Sequence, residues 1–204
     1  MIVEMQSWRA RPGAIAAVEE RMEKALPARA NLSKPAAFWR TETGVLNTFI
    51  GFWPYANLAE RERVSAEAAG IWPPAELNEF VVEQDVKILV PAPFNPPFKE
   101  IVLGPLHEIR PYTFVPGSIP GEIERWGKMI PERAKLSPFI GCFYSEIGPL
   151  NLWISIWAYA DAAERQRIRA DAVRLGVWPP KSPPGTLLKQ ESMLVLPLKF
   201  SPLR

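Results

Sequence analysis

The chain has 204 residues, 48% hydrophobic and 23% charged, with 24 Lys and Arg against 22 Asp and Glu scattered without a basic run, so it can bury a sizeable core and carries no electrostatic footprint for nucleic acid. A single cysteine, Cys142, and a single histidine, His107, exclude an internal disulfide, a cysteine-rich zinc site and a multi-histidine metal centre. No stretch of about 18 apolar residues is available to span a bilayer, and the opening Met1-Ile2-Val3-Glu4-Met5 reads as strand rather than signal segment, so the expected location is a reducing cytoplasm.

Residues 2–9 alternate as a half-buried strand does, and Pro12-Gly13 breaks the run. Ile15, Val18, Met22 and Leu26 then recur at helical spacing. Pro27 is expected to close or kink that helix, because proline lacks a backbone donor and clashes with the preceding turn. Residues 36–42 and 46–53 are short apolar runs around Thr43-Gly44-Val45, a hairpin-sized connection. Asn57 with Glu60 fits a helix-capping pair, and Ala-, Glu- and Arg-rich sequence follows to about Ala69. After Trp72-Pro73-Pro74, residues 80–90 form a last strand ending at Pro91. The order β-α-β-β-α-β is the split βαβ plan of the ferredoxin-like fold.

The rest of the chain repeats this pattern. Shifted by 104 residues, 44–63 falls on 148–167 without a gap and with 11 identities in 20 positions, among them Gly44/Gly148, Asn47/Asn151, Trp53/Trp157, Tyr55/Tyr159 and Arg61/Arg165. A shift of 106 then carries Trp72-Pro73-Pro74 onto Trp178-Pro179-Pro180, and Phe94-Asn95-Pro96 onto Phe200-Ser201-Pro202. Two modules are expected, 1–98 and 99–204. Each four-stranded antiparallel sheet is expected to cover one face with helices and to set its other face against its twin.

Strand alternation divides the side chains between those faces. The apolar set Thr48, Ile50 and Phe52, with Leu152, Ile154 and Ile156, is assigned here to the helices. The mixed polar and aromatic set is assigned to a chamber between the sheets: Glu4, Gln6, Trp8, Asn47, Phe49, Gly51 and Trp53, with Glu108, Arg110, Tyr112, Asn151, Trp153, Ser155 and Trp157.

The run Thr41-Glu42-Thr43-Gly44-Val45-Leu46-Asn47, its twin Ser145-Glu146-Ile147-Gly148-Pro149-Leu150-Asn151, and the Trp-x-Tyr and Glu-Arg pairs that follow resemble the NIPSNAP signature, and the resemblance covers nearly the whole chain. It implies an α+β fold, two ferredoxin-like modules closed as a dimeric α/β barrel, a superfamily that also holds cofactor-free monooxygenases and some haem enzymes. It implies no settled catalytic activity. The family commonly has a His two residues before the strand tryptophan, where this chain has Gly51 and Ser155, so no chemistry of that His carries over.

Three functional readings follow. The first is a module that binds a small organic molecule or a protein partner, with Gln6, Trp8, Asn47, Trp53, Asn151, Trp153 and Trp157 as ligand-lining residues and homo-oligomers expected. The alternative is a cofactor-independent enzyme, monooxygenase- or isomerase-like, with catalytic candidates Glu4, Glu108, Arg110 and Tyr112. In it two carboxylates meet across the pseudo-twofold axis and raise one another's pKa; with Arg110 and Arg40 nearby they form a structural ion-pair network instead. The third is haem binding, which requires His107 to face the chamber. Alternation aligns His107 with Val3 and assigns it to the helix side. Cys142, aligned with Phe38, reads as a buried small hydrophobe. No phosphate-cradling glycine loop is present, and no cofactor or metal is expected.

Overall fold

The computed structural model describes residues 1–204. The first half contains β1 (Ile2–Ala10), α1 (Ile15–Ala30), β2 (Ala37–Thr41), β3 (Thr48–Tyr55), α2 (Leu58–Glu67) and β4 (Val81–Pro91). The second half contains β5 (Leu106–Phe114), α3 (Ile119–Arg133), β6 (Phe139–Ile147), β7 (Leu152–Tyr159), α4 (Ala162–Arg174), β8 (Leu187–Gln190) and β9 (Met193–Pro197).

The helix starts are those the sequence specifies. Asn57 and Asp161 accept hydrogen bonds from the backbone N–H of Glu60 and Glu164 at 2.9 and 2.7 Å, satisfying donors a helix N-terminus otherwise leaves orphaned. The prolines do not close their helices. Pro27 and Pro131 lie inside α1 and α3, which run on for three and two more residues. The last turn carries Arg29 and Arg133, each 2% exposed. Arg29 donates to the Tyr55 hydroxyl at 2.7 Å and Arg133 to that of Tyr159 at 3.2 Å. These buried contacts, made from helical positions, outweigh one missing backbone bond.

All strand pairings are antiparallel, in the order β7-β6-β4-β1-β3-β2-β9-β5, and β5 returns to β7. The barrel is therefore closed. Two seams join the halves, β4 with β6 over residues 88–91 and β2 with β9 over residues 39–41; they use up part of the strand edge each half would otherwise expose, while β4 before Ile88 pairs with β1 alone. In the second half the last strand is broken at Glu191-Ser192 into β8 and β9, both of which pair with β5. The tails cross over. Asn95 Oδ1 accepts from Cys142 N at 2.7 Å, and Ser201 Oγ accepts from Phe38 N at 2.8 Å, so each half ends on the other.

The two strand faces are the reverse of the sequence assignment. Val3, Met5, Ile50 and Phe52 join Ile109, Phe143, Ile154 and Ile156 in one cluster drawn from both halves, the barrel interior. Trp8, Phe49 and Trp53 pack with Val18, Met22 and Leu26 of α1; Tyr112, Trp153 and Trp157 pack with Trp126 and Ile130 of α3. The reason is one of shape. The barrel interior takes mainly aliphatic side chains and Phe, with Trp39 its one tryptophan, whereas the sheet–helix layers hold the other indoles and open to water along their rims. Charged heads can therefore emerge there while their stems stay buried.

Candidate ligand site

Glu4 and Glu108 consequently do not meet. Each points into the helix layer of its own half, where the repeat has built two versions of one network. In the first half, Glu4 Oε1 accepts from Arg61 of α2 at 2.6 Å and from Gln6 at 3.2 Å. Gln6 in turn accepts from the Trp72 indole at 3.1 Å, and the Arg29 guanidinium lies 4.0 Å over the Trp53 ring. Trp72 is 7% exposed and Leu77 1%, and both belong to the cluster holding Trp8, Met22 and Phe38. That layer is filled.

The second half repeats the frame with different occupants. Glu108, fully buried, accepts at Oε1 from Arg110 at 2.5 Å, from Arg165 of α4 at 2.6 Å and from Ser192 at 2.7 Å. At Oε2 it faces Tyr159 Oη at 3.4 Å and Arg169 at 3.8 Å. Arg133 reaches Tyr159 and stacks 4.2 Å over Trp157. Burial alone would raise the Glu108 pKa, but the hydrogen bond and charge of Arg165, the charge of Arg110 and the Ser192 hydroxyl bring it down to about 2. Glu108 is thus a firmly ionised carboxylate, a poor base. Arg110 does neutralise it, as one sequence reading held; Arg40 pairs instead with Glu19.

Beside this network lies a cleft of about 300 Å³ lined by Tyr112, Phe114, Trp126, Trp178, Leu187, Gln190 and the proline-rich segment 179–185. Trp178 meets Trp126 edge-on at 4.7 Å and Trp157 at 5.5 Å. Where the first half has the 3-10 turn Ala75–Leu77, the second has Lys181-Ser182-Pro183-Pro184-Gly185, with no residue to do what Leu77 does. That segment is tied down by Ser182 Oγ, which donates to the buried Glu122 of α3 at 2.9 Å. Other openings exist: a groove of about 630 Å³ on the outside of the first half, between α1 and residues 70–76 and lined largely by Glu20, Arg21, Lys24 and Glu76, and one of about 340 Å³ at one end of the barrel against Met5, Ile50, Thr48 and Met193, with Asp85 and Lys87 at its rim.

The proposed ligand-lining residues therefore separate. Tyr112 borders the cleft, and Trp153 and Trp157 stand behind it against Trp126 and Trp178. Gln6, Trp8 and Trp53 belong to the filled first half. Asn47 and Asn151 lie at the hairpins with φ of 57° and 59°. His107 is inside the barrel and not on the helix side, fully buried, its Nδ1 accepting from the Trp39 indole at 2.8 Å. Burial holds its pKa down at about 4, partly offset by the Gly104 backbone, so it is a neutral acceptor. Cys142 is buried, and burial pushes its thiol pKa well up.

Sequence reading passed over Arg133, Arg165, Arg169, Ser192 and Trp178 as site residues. A signal existed for two of them: Arg165 and Arg169 are four apart on α4, so they share a helix face, and Arg61/Arg165 is one of the identities of the repeat.

The NIPSNAP family model matches residues 3–96 and again 107–202. The chain belongs to the NIPSNAP family. It is 31% identical to a NipSnap homolog of Dictyostelium discoideum over 79% of this chain and 74% of that protein, and 26% identical to human NipSnap homolog 3B over 98% and 85%. Among solved structures it resembles a monooxygenase candidate of Fusobacterium nucleatum, with TM-score 0.66 at 8% identity over 97% and 92% of the two chains. It also resembles an anthrone oxidase-like protein, with TM-score 0.64 at 10% identity over 98% and 93%. At such identities the likeness is one of fold. No helix of this NIPSNAP protein is long and apolar enough to cross a membrane.

Proposed function

We propose that this NIPSNAP protein is a small-molecule-binding module whose ligand occupies the cleft of the second half. The observation that carries the reading is the asymmetry of a duplicated frame: one sheet–helix layer is packed with Trp72 and Leu77, and the other leaves an opening bordered by aromatic, proline and polar residues beside convergent polar groups. Apolar walls with a few placed polar atoms are what a small-molecule site requires. An enzyme that abstracts a proton with Glu108 is less well supported, because a carboxylate held at a pKa of about 2 by arginines is a weak base.

The test is a tryptophan-fluorescence titration with a neutral aromatic probe, 2-phenylethanol. The wild type should bind it saturably, and Leu187→Trp, which fills the cleft, should lose at least tenfold in affinity while keeping its melting temperature. Saturable binding that Leu187→Trp leaves unchanged, or no binding at all, would overturn the reading.

A further inference from the structure

The polar network beside the cleft is out of electrical balance. Arg110, Arg165 and Arg169 all pair with one carboxylate, Glu108, and Arg133 approaches it through Tyr159. Four guanidinium groups face one negative charge. None of these arginines has another carboxylate within ion-pair distance. In the first half the same frame holds Gln6 at the place of Arg110 and Ser65 at the place of Arg169, so there two arginines, Arg29 and Arg61, accompany Glu4. The excess belongs to the half that also has the open cleft.

Positive charges gathered at partly buried positions repel one another and have lost hydration, so they are costly without counter-charge. The Arg169 side chain makes no hydrogen bond to any protein group, and its one ion-pair contact is to Glu108 at 3.8 Å. Its side chain remains 36% exposed, against 24% for Arg165 and 13% for Arg110, so the unspent donors are on the solvent side. Two further polar atoms beside the cluster have no partner: the Ser155 hydroxyl and the Trp153 indole N–H, both buried. They sit directly opposite Arg110 and Tyr112 in the β5–β7 register and therefore on the same face. Tyr112 joins cluster to cleft. Its ring lines the cleft, and its hydroxyl accepts from Arg110 Nε at 2.7 Å.

We infer that Arg110, Arg165 and Arg169 form an anion subsite next to the cleft, and that the ligand is an aromatic molecule bearing a carboxylate or phosphate. The ring lies against Tyr112, Trp126 and Trp178, and the anionic group takes the guanidinium donors that Glu108 leaves free. Guanidinium forks suit both oxyanions, which they bind through paired, charge-assisted hydrogen bonds. This inference rests on the cleft as the binding site, and the experiment separates the two.

Wild type and the double variant Arg110→Gln/Arg169→Ser are titrated at low salt with 2-phenylethanol, phenylacetate, phenyl phosphate and inorganic phosphate, by fluorescence and by thermal unfolding. The variant installs the residues the first half already carries at those positions, and its circular dichroism checks folding. Phenylacetate or phenyl phosphate should bind wild type at least tenfold more tightly than 2-phenylethanol. The variant should lose that advantage while its affinity for 2-phenylethanol stays within about threefold, as removal of one charge-assisted pair predicts. A preference confined to one anion identifies the headgroup as carboxylate or phosphate. If 2-phenylethanol does not bind but inorganic phosphate stabilises wild type and not the variant, the cleft reading falls and the anion subsite stands. Equal affinity for charged and neutral probes, or an advantage that survives the double substitution, overturns the anion subsite.

Discussion

The two halves of this chain are one design at two settings. Both have a carboxylate on the first strand, an arginine on the second helix that grips it, a buried arginine ending the first helix against a tyrosine, and a cis Trp-Pro bond at Trp72 or Trp178. The first half closes the frame: Trp72 packs edge-on against Trp8 at 5.8 Å and Trp53 at 5.5 Å, and Leu77 seals the layer. The second half leaves it ajar and adds arginines. Duplication makes this possible, because one copy can keep stabilising the barrel while the other carries substitutions that cost stability and open the proposed site.

Substitutions at matched positions should fall unequally on the two halves. The largest difference is expected at the carboxylates. Glu108→Gln leaves four arginines around an uncharged group and should destabilise by about 3–5 kcal/mol in urea unfolding, as losing one partner of a buried ion pair does. Glu4→Gln should cost only about 1–2 kcal/mol, because Arg61 is 32% exposed and can rehydrate. Added phosphate should recover part of the Glu108→Gln loss and none of the Glu4→Gln loss. Similar costs in the two variants would break the comparison.

The tryptophans come next. Trp72→Ala opens a cavity in a filled aromatic cluster and should cost about 3–5 kcal/mol. The half-buried Trp178 borders an existing opening, and Trp178→Ala should cost about half as much, read from paired denaturation curves.

Acid stability separates the halves again. His107, whose counterpart is Val3, has its folded pKa held at about 4 against an ordinary 6.5. The unfolded chain therefore takes up that proton first, and stability present above pH 6.5 should be lost as pH falls from 6.5 to about 4. Glu108, held at about 2 against an ordinary 4.5, likewise contributes stability that is present above pH 4.5 and lost as pH falls through 2. Each shift corresponds to a loss of about 3 kcal/mol at most. In thermal unfolding from pH 7 to pH 4, His107→Asn should flatten the upper part of the acid limb by supplying a non-titrating acceptor to Trp39. An unchanged slope in that variant would remove His107 from the account.

The smallest contrast lies where the family pattern has its histidine. A Cβ at Gly51 would meet the Phe38 ring at 2.7 Å, so Gly51→Ala should cost about 1–3 kcal/mol by overpacking. Ser155, its twin, has a buried hydroxyl without a partner, so Ser155→Ala should be neutral or slightly stabilising. Melting temperatures of the two variants give the sign of each.

Fold and site were unequally legible in the sequence. The repeat, the element order and the helix caps can be read from Gly44/Gly148, Trp53/Trp157 and Asn57/Asp161, because turn chemistry and periodicity are local. The inward and outward faces of the strands were read backwards. A period of two separates Glu4, Gln6 and Trp8 from Val3 and Met5 but does not name the side that faces helices. A polar face suggested a chamber, whereas here the polar face is the one whose rim reaches water. Arg29 and Arg133 are not legible because each lies two residues after a proline, Pro27 or Pro131, that marks a closed or kinked helix and hides the turn that carries them. Ser192 could not be foreseen, since its place on Glu108 depends on a strand break that β4 does not share. The cleft itself is an absence, the missing equivalent of Leu77, and only packing reveals it.

The most direct test of the account is a crystal structure with 4-bromophenylacetate, located by the anomalous signal of bromine. The account predicts one bromine site per chain, in the cleft among Tyr112, Trp126 and Trp178, with the carboxylate on Arg110 or Arg169 and nothing at the matching place beside Trp72. Bromine at the barrel end by Met5 and Met193, equal occupancy in both halves, or an empty cleft at saturating ligand would contradict it.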